Sequence, residues 1–120
     1  AVLSMEYAVF DLRARTYFQR EGEGLFKRSR RGSLVELDAV VVVCEQYFGA
    51  SVIYRTVVHW KHAQVPLLVT EREQRSLPPG APLNHGAGAI CQRAQRYAQS
   101  LGVAYYDNTY FHSRAPQSAV

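Results

Sequence analysis

The sequence predicts an α+β fold: an antiparallel β-rich N-terminal half with one packed helix, then a linker and a second helix. Three observations predict it. Leu37-Asp38-Ala39 leads into four consecutive valines, Val40 to Val43, and such a β-branched run suits a central strand covered on both faces. Apolar residues at helical spacing follow over 50–63, and a second apolar run over 65–70. Pro78, Pro79 and Pro82 then break the pattern before a new amphipathic segment.

The elements follow in order. Residues 5–11 are apolar and aromatic through Tyr7, Val9 and Phe10 and read as a strand. Residues 13–20 alternate charge with Tyr17 and Phe18 and read as a second. Glu21-Gly22-Glu23-Gly24 signals a turn, because glycine reaches positive φ without steric cost. Residues 25–28 form a third strand, and Ser29-Arg30-Arg31-Gly32 a second tight turn, so the first third is a β-meander. The buried strand spans 34–44 and places Glu36 and Asp38 on one face.

Ser51 then caps a helix, and Ile53, Val57 and Trp60 form its apolar stripe, widened by Val58. Pro66 opens the next strand, which Leu67, Leu68 and Val69 fill. A second helix covers 89–101, with Ile90, Ala94, Tyr97, Ala98 and Leu101 on one side and Gly102 as its cap. Residues 103–106 form a short strand, and the chain has no pattern from His112 onward. The resulting organisation is a β-rich domain with one helix over 1–75, a linker over 76–88, and a helix, short strand and frayed tail over 89–120.

At this length a core needs no staples, and apolar residues at 48% supply one. The longest unbroken apolar run, 39–44, is far too short to cross a membrane. No leader of the charged-then-apolar kind is visible, so the expected location is cytoplasmic and no membrane partner is expected. Cys44 ends the valine run as a small buried hydrophobe, and no Cys44–Cys91 bridge is expected.

The charge is informative. The net charge is +4, and twelve of the fourteen cations are arginine. Arginine suits phosphate because its planar fork donates two parallel hydrogen bonds. Arg13, Arg15, Arg20, Lys27, Arg28, Arg30 and Arg31 all fall in the first 31 residues. Such clustering is the electrostatic footprint of nucleic-acid binding, and a solvated face is the alternative. Arg13, Arg15, Lys27, Arg28, Arg30 and Arg31 are the phosphate-contact candidates. Arg93 and Arg96 join them from the polar side of the late helix, beside Gln92, Gln95 and Gln99.

Catalytic signals are sparse. Asp11, Glu45 and Asp107 each end a predicted strand, as Glu71 does. Carboxylates converging at one sheet edge could hold Mg²⁺ or Mn²⁺ for phosphodiester cleavage, as in a small PIN-like nuclease. Strands also end in polar residues for no catalytic reason. His59 and His62 would share a helix face, but no HExxH or third ligand accompanies them. No phosphate-binding glycine loop is present, and no cofactor is expected.

The ordered set of Leu37-Asp38-Ala39-Val40-Val41-Val42-Val43, a helix opening at Ala50-Ser51-Val52, and Val65-Pro66-Leu67-Leu68-Val69 resembles the N-terminal β-domain of the CRISPR-associated spacer-acquisition integrase, an endonuclease family of antiviral defence. Pro78-Pro79, Asn84 and Arg93-Ala94-Gln95-Arg96-Tyr97 are similar to the linker and first helix of its helical domain. The resemblance spans about residues 7–102 and rests mainly on hydrophobic pattern. It implies homodimerisation and DNA contact. The family's catalytic glutamate, histidine and aspartate lie deeper in the helical domain than this chain reaches, so no residue here takes those roles. A third reading is a structural subunit of a larger nucleoprotein assembly.

Overall fold

The computed structural model describes residues 2–4, 8–21, 28–47, 49–61 and 68–112, with backbone alone at 20–21, 28–30, 46–47, 68–69 and 111–112. The elements are β1 (Val2–Ser4), β2 (Ala8–Asp11), β3 (Thr16–Glu21), β4 (Arg28–Ser33), β5 (Leu37–Tyr47), β6 (Ser51–Trp60), β7 (Leu68–Ser76), α1 (Gly88–Leu101) and β8 (Ala104–His112). The fold is α+β, with a packed helix on a β-rich body.

The strands form two sheets. The first is a four-stranded antiparallel meander in the order β1-β2-β3-β4. The second has the order β7-β6-β5-β8. In it β5, β6 and β7 are antiparallel neighbours, and β8 lies parallel to β5. A parallel neighbour needs a crossover, and α1 supplies it by passing from the β7 edge to the β8 edge over one face.

The valine strand sits where its composition sends it. Val40, Val41, Val42 and Val43 are all fully buried, with β6 on one side and β8 on the other. Alternation splits them. Val40 and Val42 face α1 and join a core with Phe10, Tyr54, Ile90 and Leu101. Val41 and Val43 join Ala39 and Val57 on the opposite face. Burial of each such side chain stabilises by about 1.5–3 kcal/mol relative to exposure.

Two expected elements differ. The segment over 50–63 is a strand over its described part, not a Ser51-capped helix, so α1 is the helix that packs on the sheet. Val52, Ile53, Thr56, Val57 and Val58 are β-branched, and β6 is hydrogen-bonded along both edges. A strand buried on both faces is apolar almost throughout, so the 53–57–60 spacing does not signify a helix. Ser51 lies opposite Tyr47 across the hairpin and caps nothing helical.

The second difference is at 29–32, which lies inside β4 rather than in a turn. Gly32 stands opposite Tyr17, and a Cβ there would come within 2.7 Å of the Tyr17 Cζ. The glycine admits a ring, not a reversal. The predicted strand at 34–44 begins with a single 3₁₀ turn over Leu34–Glu36, in which the Ser33 hydroxyl accepts from the Val35 N–H. Glu36 therefore precedes the strand, and a bulge between Leu37 and Ala39 interrupts the face expected for Asp38.

The late helix matches its expectation. Ile90, Ala94, Ala98 and Leu101 are buried, and Gly102 ends it at φ 72°. The short strand predicted over 103–106 is longer, reaching His112. The connection from β7 to α1 docks on the sheet through Tyr54, whose Oη donates to the Leu83 carbonyl at 2.6 Å and accepts from the Gly86 N–H at 3.2 Å. Calls on Lys27, His62 and Val65–Leu67 fall outside the described residues, as does the tail over 113–120.

Candidate nucleic-acid interface

The first sheet has an inward and an outward face. Ala8, Phe10, Tyr17 and Gln19 are buried. Tyr17 packs on Trp60 of the second sheet, with ring centroids 4.8 Å apart. The alternate positions form a cross-strand row, Val9 opposite Phe18 opposite Arg31. The Arg31 guanidinium carbon lies 5.2 Å from the centre of the Phe18 ring. That cation–π contact holds the charge over an aromatic plate without neutralising it. The row lies in a concavity of about 580 Å³ that also includes Asp11, Thr16 and Ser33.

Arg13 and Arg15 are exposed in the turn between β2 and β3, beside that end of the concavity. The turn is fixed locally. The Asp11 carboxylate accepts from the N–H groups of Arg13 at 3.1 Å and Ala14 at 2.9 Å. Arg15 takes the left-handed conformation at φ 59°, and its carbonyl accepts from the Leu34 N–H at 2.9 Å. Arg28 and Arg30 lie on β4, opposite Glu21 and Gln19. Arg31 is thus exposed on the outward row of the first sheet, and Arg13 and Arg15 are exposed in the turn that joins β2 to β3.

The helix candidates separate. Arg93 is held by Glu73 at 2.7 Å and Glu71 at 3.4 Å, fastening α1 to β7. Arg75 also pairs with Glu73. Burial alone would raise the Glu73 carboxyl, but hydrogen bonds from Arg93 and Arg75 outweigh it and hold the group below its ordinary range. Arg96 is exposed on the outer side of α1, where it bounds a concavity of about 300 Å³ with Gln92, Gln95 and Gln99.

The three carboxylates considered for metal chemistry occupy different settings. Asp11 closes the β2–β3 turn. Glu45 pairs with the buried Arg55 at 2.8 Å. Asp107 accepts from the Thr109 N–H at 2.9 Å and its hydroxyl at 2.5 Å. Among the described residues, no group of three or more His, Cys, Asp or Glu side chains is placed to hold a metal ion. His59 lies on β6, and burial, partly opposed by the Asp38 charge, favours its neutral form. Both cysteines are free thiols. Burial, with Glu45 nearby, pushes Cys44 up to about 11, so it is an inert packing group.

Sequence reasoning did not single out Phe18 as a surface group. The alternation in Thr16-Tyr17-Phe18-Gln19 requires one ring in and one out, and the Tyr17–Gly32 pairing decides which. No protein-family model, curated protein or solved structure matches the chain.

Proposed function

We propose that this chain is a cytoplasmic nucleic-acid-binding and dimerisation domain of the kind that opens the CRISPR spacer-integration endonuclease, with DNA as its partner. The observation that carries the nucleic-acid reading is the outward region of the first sheet, where Arg31 lies over Phe18 and exposed Arg13 and Arg15 stand at the rim. Guanidinium groups there can fork onto phosphate oxygens, and a flat ring can take a base that has left its stack. The family part of the reading rests on the 37–43 and 93–97 residues. The serine-capped helix of that pattern is a strand here.

The test is the salt dependence of binding to a labelled DNA duplex. Each phosphate contact contributes about 0.9 to the slope of log K against log salt. Replacing Arg13, Arg15 and Arg31 together by alanine should lower that slope by two or more on this scale. An unchanged slope would sink the assignment. Dimerisation is checked separately by the solution mass of the free chain.

A further inference from the structure

We infer that the outward side of α1 reads base edges in the major groove of duplex DNA. The inference deepens the nucleic-acid reading and rests on it. At about 100° per residue, Gln92, Gln95, Arg96 and Gln99 form a single stripe opposite Ile90, Ala94, Ala98 and Leu101. The second set is buried against the sheet, so the first points directly away from the body.

The chemistry of that stripe is selective. An exposed helix face ordinarily mixes acids with bases in pairs that support the helix. The whole of α1 contains no Asp or Glu. Its outward stripe is three primary amides around one guanidinium. A glutamine amide offers a donor and an acceptor side by side, matching N7 and the N6 amine of adenine. Arginine matches N7 and O6 of guanine. The charge suits the same partner: Arg96 is on the stripe, while Glu71 and Glu73 of the neighbouring strand are engaged by Arg93 and Arg75.

The dimensions agree. An α-helix with side chains is about 10–12 Å across, and the major groove is about 12 Å wide. Gln92 to Gln99 spans about 10 Å of helix axis, about three base-pair steps. Arg93 contributes as a positioning residue, since its pairs with Glu71 and Glu73 fasten α1 to β7. Phosphate grip by the first sheet and base readout by α1 are separable roles carried by different elements.

The experiment is a selection from randomised DNA duplexes with the whole chain, followed by binding of the enriched and scrambled sequences. The chain should enrich a short motif with adenine and guanine positions. The Gln92→Ala/Gln95→Ala/Gln99→Ala variant should keep its affinity for scrambled duplex within about twofold and lose about tenfold or more of its preference for the motif. Alanine is the best helix former, so this variant retains α1, and its circular dichroism confirms that. Arg96→Lys should relax the guanine position alone. Duplex binding without sequence preference, together with the slope change at Arg13, Arg15 and Arg31, overturns this inference and leaves the broader reading standing. A motif that survives the triple substitution also overturns it. Absence of binding to any duplex removes both.

Discussion

The two sheets solve opposite problems. The second sheet is buried at its centre on both sides: Val40 and Val42 under α1, Val41 and Val43 beneath. The first is buried on one side only, with Phe10 and Tyr17 inward and Val9, Phe18 and Arg31 outward. A strand covered twice is apolar almost throughout, whereas one covered once has every second position available for chemistry. The difference teaches where to look for function in this chain: in the meander and on the outer side of the helix, not in the valine-rich centre.

That contrast can be broken by paired substitutions. Ile90→Ala empties a fully buried site between α1 and the sheet and should cost about 3 kcal/mol, within the range for such deletions. Val9→Ala, on the outward row, should cost under about 0.5 kcal/mol, as surface changes usually do. Urea denaturation of both variants checks the pair, and equal costs would erase the distinction between the faces.

A smaller effect is expected at Glu45. Its partner Arg55 has a side chain only 4% exposed, and removal of the carboxylate strands that charge. Glu45→Ala should destabilise by about 2 kcal/mol, below the full cost of breaking a buried pair because Glu45 is itself partly exposed. Thermal melting measures it, and Glu45→Gln should recover part of the loss.

Gly32→Ala sharpens the comparison from the first sheet. Its Cβ would meet the Tyr17 ring, which packs on Trp60. Displacing the ring should cost about 1–2 kcal/mol, in the usual range for overpacking. Trp60 is the chain's sole tryptophan, so its emission should shift in the same variant. A stability loss without that shift would place the strain elsewhere.

The smallest effect concerns pH. The Glu73 carboxyl is held below its ordinary value when folded, so its contribution is present above the unfolded carboxylate value and is lost as pH falls through the folded one. Denaturation midpoints taken from neutral to acid pH should therefore fall, and Glu73→Gln should flatten that fall by about 1 kcal/mol. An unaltered pH profile in the variant would show that the pairs with Arg93 and Arg75 carry no stability.

Much of the frame was legible in the chain. The β-branched valine run favoured a doubly covered strand, and the 89–101 pattern with Gly102 after it read as a capped helix; both stand in the fold. The β6 segment was misleading for a physical reason. Where Val52, Val57, Val58 and Trp60 are all buried, several periodicities fit at once, and only the density of β-branched residues separates strand from helix. Local spacing also says nothing of distant partners. Arg93 and Arg96 look alike in sequence, yet only Arg93 meets Glu71 and Glu73. Asp11 reads as a strand-end acid, while its Oδ1 accepts from two N–H groups of the next turn. The arginine cluster was visible as composition; that Arg31 is the member lying over Phe18 required the register of β3 and β4.

The parallel pairing of β5 with β8 also sets an order of events on the ribosome. Ala39 finds its neighbour Ala104 only after β6, β7 and α1 have been synthesised. Until then one edge of the valine strand has no partner from β8, and an open apolar edge is a template for pairing with other chains. The nascent chain therefore passes through an interval of aggregation hazard that ends when β8 is released and docks. Holdase chaperones should be most valuable to this protein in that interval.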